Sequence, residues 1–307
     1  MSLRDINRRH LGLVAFYSTR YAVRGGTGLV FLLLVLVFGL LVANGLIEQV
    51  EKLERSAGSA EAAKAQLDQI VRSMKPLVEW AIGEREELPT TPEEAAAGED
   101  PWATYLLERR PALLSAILLI LVFGLPFTIA CGAFNQYSGD VSTRGIRFLL
   151  LRTERANLYF GRFVGMVVFT ALAKAAVLVI VLLYLGFALP YYGWGELLLW
   201  SALGFVALVL LALPYIAVCG WISATFDSPF GSLAICALVV GGVPLFAVIG
   251  GIWTEHAEYI NYVLPWGVQN RLLHYEPLQV VIAALACLGY TAAFLALGYR
   301  HFSRRDL

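Results

Sequence analysis

The sequence predicts an all-α integral membrane protein with six transmembrane helices, preceded by an amphipathic interfacial helix. Of its 307 residues, 59% are hydrophobic and 15% are charged, whereas soluble domains have about 45–50% and about 25%. Six runs reach the length of about 20 mostly apolar residues that a bilayer core requires. Basic residues also concentrate on alternate connections between these runs, which is typical of multi-pass membrane proteins.

The predicted spans follow one another closely, except after the first. They cover residues 28–47, 112–134, 163–189, 197–222, 232–252 and 278–299, so that spans two to six lie in region 112–307. Proline interrupts three spans, at Pro126, Pro214 and Pro244. Membrane helices tolerate such prolines because neighbouring helices satisfy the freed backbone groups. The first run is too long for a typical signal peptide, so we expect it to be retained.

Arginines near the spans predict the orientation. Thirteen lie in the N-terminal segment, the second connection and the tail 300–307. They are Arg4, Arg8, Arg9, Arg20, Arg24, Arg144, Arg147, Arg152, Arg155, Arg162, Arg300, Arg304 and Arg305. The positive-inside rule places these segments, and hence both termini, in the cytoplasm. We therefore expect a multi-pass protein of the plasma (inner) membrane.

Residues 1–27 have the pattern of a helix that lies in the membrane interface. The apolar residues share one side of such a helix, and the charges lie on the other. The apolar side comprises Leu3, Ile6, Leu13, Val14, Tyr17 and Tyr21. The alternative is a basic segment that only marks the cytoplasmic side and is incidentally helical.

Two connections on the opposite side have distinct compositions. In region 48–111, apolar residues recur at three- and four-residue spacing up to about residue 83, which predicts a helical insertion that packs on itself or on an accessory protein. Residues 84–100 are acidic and contain proline, as linkers do. The connection 253–277 is rich in Trp and Tyr, which is typical of an aromatic belt at the membrane surface.

Nothing in the sequence indicates catalysis by this chain alone. It contains no G-x-x-x-x-G-K-[ST] phosphate-binding loop, and its four histidines lack metal-ligand spacing. The 23 basic and 23 acidic residues balance, so net charge does not favour nucleic acid as a partner. We expect no catalytic residue, metal site or cofactor in this chain.

The cytoplasmic segment 137–162 is the most informative connection. It predicts a short amphipathic helix with an apolar edge at Ile146, Leu149 and Leu150 and with arginines facing outward. The spacing fits two interpretations equally: a lever that docks a partner, or a basic loop whose edge faces lipid. We expect Gly145 to permit a turn or a close backbone approach that a side chain would forbid.

This segment also carries a resemblance. The run D-x-x-x-R-G-I-R-F-L-L-L-R of residues 140–152 is followed by N-L-Y-F-G-R-F-V-G of residues 157–165, and the chain ends in F-S-R-R-D-L. In this order the motifs resemble the membrane subunit of ABC type-2 transporters. The sequence departs from that pattern at Ile146, Thr153 and Arg162, where Thr, Pro and Lys are common. The long first connection also exceeds that of the simplest members.

The resemblance implies the permease subunit of an ATP-driven exporter that works by alternating access. Two separate ATPase subunits would bind ATP and Mg, and a second permease chain, identical or related, would complete a dimer surrounded by membrane lipid. The implied ATPase-coupling residues are Asp140, Arg144, Gly145, Arg147, Phe148 and Arg152. Alternatives are a secondary transporter, or a membrane scaffold that recruits an extracytoplasmic partner through residues 48–111.

Lys174 is the one deeply placed charge in the predicted spans. A lysine at a helix centre costs about 2.5–3.5 kcal/mol on insertion scales. One interpretation is that its long side chain reaches the interface or a water-filled crevice. The other is that Lys174 lines the translocation path between two permease chains and meets an anionic group of the substrate.

Overall fold

In the computed structural model, every regular element of the described residues is helical. The structure describes residues 7–24, 28, 30–37, 39–41, 44, 45, 75, 102–188, 192–251 and 255–305. The α-helices are α1 Arg8–Arg24, α2 Val30–Leu41, α3 Trp102–Glu108, α4 Ala112–Ala133, α5 Ser138–Ser142, α6 Gly145–Leu150, α7 Arg155–Ala188, α8 Trp194–Thr225, α9 Pro229–Gly251 and α10 Pro277–Arg304. Three 3₁₀ segments, Glu255–Val263, Pro265–Gly267 and Asn270–Leu273, precede α10. The prediction of an all-helical fold is confirmed for this part of the chain.

Five of these helices are long and apolar enough to cross a membrane by length and composition: α4, α7, α8, α9 and α10. They coincide with the predicted spans two to six. The predicted first span, 28–47, lies partly outside the described residues and overlaps the shorter apolar helix α2. The predicted insertion and acidic linker begin at residue 48. Between that residue and position 101, only Lys75 is among the described residues.

Helices α7 and α10 extend beyond the apolar runs from which the spans were predicted. Helix α7 begins at Arg155 rather than at residue 163, and α10 continues to Arg304 rather than ending at residue 299. A span predicted from an apolar run ends at the first arginine. The helix itself continues where the charged group finds a partner. Arg155 Nη1 donates hydrogen bonds to the carbonyl oxygens of Ser303 at 2.7 Å and Arg305 at 2.9 Å. The two helices are thereby joined at one end.

Helix α1 packs on α7 through small residues. A Cβ atom at Gly161 would lie 2.7 Å from Val14 Cβ, and one at Gly165 would lie 2.8 Å from the carbonyl oxygen of Ala15. Thr19 Oγ1 donates to the carbonyl oxygen of Gly165 at 3.1 Å across the same seam. Two glycines four residues apart allow such close helix approach within membranes.

The packing covers Val14 of the predicted apolar side of α1 but leaves the other described residues of that side exposed. Leu13, Tyr17 and Tyr21 of the predicted apolar face are 55%, 61% and 73% exposed. This exposure suits a helix whose apolar side lies in lipid. The interfacial location itself stays a prediction, and Leu3 and Ile6 lie outside the described residues.

The aromatic connection before α10 packs into the bundle instead of only lining its surface. Trp266 Nε1 donates to the carbonyl oxygen of Val240 at 3.1 Å, and its ring centroid lies 5.9 Å from that of Phe127. Trp102 in α3 is buried and donates to the carbonyl oxygen of Leu273 at 3.2 Å. The connection is therefore held by one half-buried and one buried tryptophan, whose indole N–H groups find backbone acceptors.

Candidate functional site

The predicted coupling helix is two short helices, α5 and α6, joined by a sharp turn. Arg144, between them, has φ 57° and ψ 10°, the left-handed conformation, and is the only non-glycine residue with positive φ in the described chain. Gly145 begins α6, and a Cβ atom there would approach Thr143 Oγ1 no closer than 3.4 Å. The turn therefore does not require glycine at position 145, and a close backbone approach of a partner at Gly145 stays a prediction. The turn places its conformational demand on the preceding arginine.

An ion pair anchors this hairpin to α7. Arg162 Nη2 donates to Asp140 Oδ2, and its Nη1 donates to the carbonyl oxygen of Gln136. The guanidinium also lies over the ring of Tyr137, with Cζ 5.6 Å from the ring centroid. The side chain of Arg162 is only 13% exposed, so its charge is held largely inside the protein. Removal of Asp140 would leave the largely buried charge of Arg162 without its partner.

A tyrosine pair continues the connection from α4 to α7 and α8. The rings of Tyr137 and Tyr159 stack with centroids 5.2 Å apart, and Tyr137 donates its hydroxyl to the carbonyl oxygen of Tyr159 at 2.7 Å. Ser223 Oγ in α8 accepts from the backbone N–H groups of Tyr137 at 2.9 Å and Ser138 at 3.1 Å. The start of the hairpin is thus fixed to two spans.

The C-terminal end of α10 completes the same layer. Arg305 donates to the carbonyl oxygen of Ala224 and to Asp227, at the junction of α8 and α9. Its own carbonyl oxygen accepts from Arg155 at the start of α7. Because Ser232 Oγ in α9 also donates to the carbonyl oxygen of Phe134, at 2.7 Å, all five long helices meet at this end of the bundle. We call it the α5–α6 end.

The outward surface of α6 and the following turn combines apolar and basic residues. Phe148 is 73% exposed and Leu151 is 83% exposed, with Leu149 between them. Arg144, Arg147 and Arg152 are exposed around them. Ile146 of the predicted apolar edge is buried and faces the layer beneath, with Leu150 packed beside it. We call the six exposed residues the apolar–basic rim.

Lys174 lies inside the bundle. It is 1% exposed, and its Nζ lies 3.4 Å from Thr128 Oγ1 in α4. Thr170, one helical turn earlier, is also buried, and its Oγ1 has no hydrogen-bond partner among the described residues. The first interpretation expected the Lys174 side chain to reach the membrane interface or a water-filled crevice. In this conformation the side chain does not reach the interface. Its place in a translocation path stays a prediction.

A comparison with known proteins assigns the chain to a protein family. Residues 18–307 match the family model described as ABC-2 family transporter protein. No curated protein matches this sequence. The match covers more than half of the chain. The chain belongs to the ABC-2 family.

The ABC-2 resemblance of the sequence is thereby confirmed, and the protein is a membrane-embedded ABC transporter permease. Members of this family associate with ABC ATPase subunits. Of the residues that the sequence singled out, Asp140 is part of the anchoring ion pair, and four others lie on the apolar–basic rim. Those four are Arg144, Arg147, Phe148 and Arg152. Gly145 starts the helix that carries the rim.

Sequence reasoning missed the residues beneath the rim. Arg162 entered as one of the orienting arginines and as a departure from the family pattern but not as a partner of Asp140, while Tyr137, Tyr159 and Ser223 were not singled out. One signal was present: Arg162 stands at the entrance of a long apolar run, 22 residues after Asp140. A charge at that position needs a partner of opposite sign. The pairing of Ser223 with the hairpin depends on how α8 packs and has no signal in the local sequence.

Proposed function

We propose that this permease is the membrane-spanning part of an ATP-driven exporter, coupled to its ATPase through the apolar–basic rim. The observation that supports this proposal is a surface of exposed apolar residues seated on a buried polar layer that joins all five long helices. In the proposed complex, two ATPase subunits bind ATP with Mg and hydrolyse it, and a second permease chain completes the pathway. This chain itself catalyses no reaction.

The composition of the rim suits a protein partner. Exposed aromatic and arginine side chains are the residues that most often dominate binding energy at interfaces. Phe148 can fill an apolar pocket of a partner, while Arg147 and Arg152 can pair with its carboxylates. Lipid alone would satisfy Phe148 and Leu151, but it would not require a hairpin anchored by a partly buried ion pair. These features favour docking over a lipid-facing loop.

The buried layer provides a mechanical connection from the rim to the spans. A displacement of α6 is transmitted through Asp140 to Arg162 in α7, and through the backbone of Tyr137 to Ser223 in α8. Arg155 extends the connection to the end of α10. Because packed elements of this kind move as units, a movement of the ATPase would rotate or shift whole helices, as alternating access requires.

Orientation follows from the same proposal. The α5–α6 end carries the rim and therefore faces the cytoplasm, where ATP is available, with both termini on that side of the plasma membrane. This agrees with the concentration of arginines there. A secondary transporter would normally use paired ionisable groups within the membrane. In the described part of the chain, Lys174 is the one charged residue that is buried, and no acidic group there pairs with it.

Lys174 also suggests what the pathway carries. A buried cation beside Thr128 and an unpartnered Thr170 would stabilise an anionic group if the helices separated during transport. We therefore propose Lys174 as a translocation-path residue for substrates with an anionic group. This proposal stands apart from the docking proposal, since either can fail alone.

The docking proposal is tested by measuring how tightly the ATPase associates with the permease in proteoliposomes. Phe148→Ala combined with Leu151→Ala should weaken ATPase association at least tenfold, because an aromatic anchor at an interface contributes about 2 kcal/mol or more. Phe230→Ala is the matched control: Phe230, at the start of α9, is 79% exposed but lies outside the rim. Equal ATPase association in both variants and the wild type would refute the proposal.

A further inference from the structure

An open crevice between α8 and α10 is not used by the proposed coupling. It lies at the α5–α6 end and has a volume of about 460 Å³. It is lined by Trp221, Leu297, Arg300, His301, Arg304 and Arg305. Among the described residues, the lining contains three arginines and no acidic residue, which favours a positive potential in the crevice.

The arginines of the crevice repel one another. Arg300 and Arg304 are four residues apart on α10, so their side chains are neighbours on the helix surface, where like charges destabilise. Neither side chain has a hydrogen bond or ion pair with a described residue, whereas Arg305 is paired with Asp227. The C-terminal end of a helix favours cations, but this effect does not relieve the repulsion between them. An anion bound in the crevice would relieve this repulsion.

The wall of the crevice is apolar on its membrane side. Trp221 stacks on Phe294 with ring centroids 6.4 Å apart, and Leu297 is 47% exposed. Farther along α10, Ile282 is also exposed, at 45%, and lies five helical turns before Arg300, on the same side of the helix. The crevice therefore joins a basic site at the end of the helix to an exposed apolar surface along it.

We propose that this crevice binds the headgroup of an anionic phospholipid. Its phosphate would lie between Arg300 and Arg304, and its acyl chains would follow Leu297 and the outer face of α10. Basic pockets between transmembrane helices are typical binding sites for anionic headgroups. The apolar wall favours a lipid over free phosphate, which has nothing to gain from it. The inference depends on membrane embedding and not on the ATPase.

The test is lipid binding to the full-length permease, measured by native mass spectrometry from mild detergent. Titration with phosphatidylglycerol should fill one saturable site per chain, and phosphatidylcholine should bind at least tenfold more weakly. Arg300→Gln with Arg304→Gln should weaken phosphatidylglycerol binding about thirtyfold, since each arginine near the surface contributes about fivefold. Arg300→Gln alone changes one exposed side chain and should weaken phosphatidylglycerol binding about fivefold.

A matched control removes the same charge elsewhere. Arg20 and Arg24 are also exposed and four residues apart, but they lie on α1 and not in the crevice. Arg20→Gln with Arg24→Gln should leave phosphatidylglycerol binding unchanged within twofold. The proposal is overturned if both double variants lose lipid equally, if phosphatidylcholine binds as tightly, or if inorganic phosphate competes at the affinity of the lipid.

Discussion

Asp140 and Asp227 each form an ion pair with an arginine at the same end of the bundle, and the two pairs differ in burial. The side chain of Asp140 is 37% exposed and that of its partner Arg162 is 13% exposed, whereas Asp227 is 80% exposed. Replacement by asparagine keeps the shape of each side chain and removes its charge. We expect Asp140→Asn to lower the free energy of unfolding much more than Asp227→Asn.

The expected magnitude follows from what each arginine retains. After Asp140→Asn, Arg162 keeps the carbonyl oxygen of Gln136 and the ring of Tyr137, but its buried charge is no longer balanced. Loss of a partner in a fully buried pair costs about 3–5 kcal/mol, and a hydrogen bond to a charged group contributes about 1.5–3 kcal/mol. Because Asp140 is about one-third exposed, we expect about 2 kcal/mol. The exposed Asp227 pair should contribute less than about 1 kcal/mol.

The assay is unfolding of the purified permease in mixed micelles by titration with sodium dodecyl sulphate, followed by circular dichroism. A double-mutant cycle of Asp140→Asn with Arg162→Gln then isolates the interaction between the two side chains. A coupling energy of about 1–2 kcal/mol is expected for this pair. If Asp140→Asn and Asp227→Asn destabilise the permease equally, the ion pair is not the stronger joint and the proposed transmission through it is wrong.

Three further predictions concern the spans and their orientation. Gly165→Ala should destabilise the permease by about 1–3 kcal/mol in the same titration, because the added Cβ would overlap α1. Gly12→Ala is the control and should not destabilise it, because no atom lies within 4 Å of the added Cβ. Lys174→Met should preserve folding but reduce transport of an anionic substrate in proteoliposomes, and Lys174→Arg should retain part of it; full transport by Lys174→Met would remove this residue from the pathway. A single cysteine at Thr143, in a variant without other cysteines, should react only with reagents that enter the cytoplasm, and labelling from outside intact cells would reverse the orientation.

Spans two to six could be predicted because lipid demands long apolar runs, and these runs are visible in composition. The ends of the corresponding helices could not be predicted in this way. Arg155 and Arg304 are charged, so they mark loops by hydropathy, yet both belong to helices. Arg155 is accommodated by the carbonyl groups at the end of α10, which are far away in sequence. Such long-range pairing is decided by packing and has no local pattern.

The coupling segment was predicted in position but not in detail. Its arginines and Phe148 were singled out, because exposed basic and apolar residues follow one another there. The break at Arg144 was not predicted, since glycine rather than arginine is the usual residue for a left-handed turn. Of the predicted apolar edge, Ile146 is buried and Leu150 packs beside it, whereas Leu149 is exposed on the rim. The break at Arg144 does not explain this difference, because all three residues lie in α6.

Site-specific cross-linking tests the central claim most directly. A photoreactive benzoylphenylalanine in place of Phe148 should form a covalent link to the ATPase when the permease and ATPase are expressed together. The same group in place of Phe230, which has similar exposure at the same end of the bundle, should not. Cross-links to the ATPase from position 148 alone are the predicted result. Cross-links to lipid alone from position 148, or equal ATPase cross-links from both positions, would contradict the account.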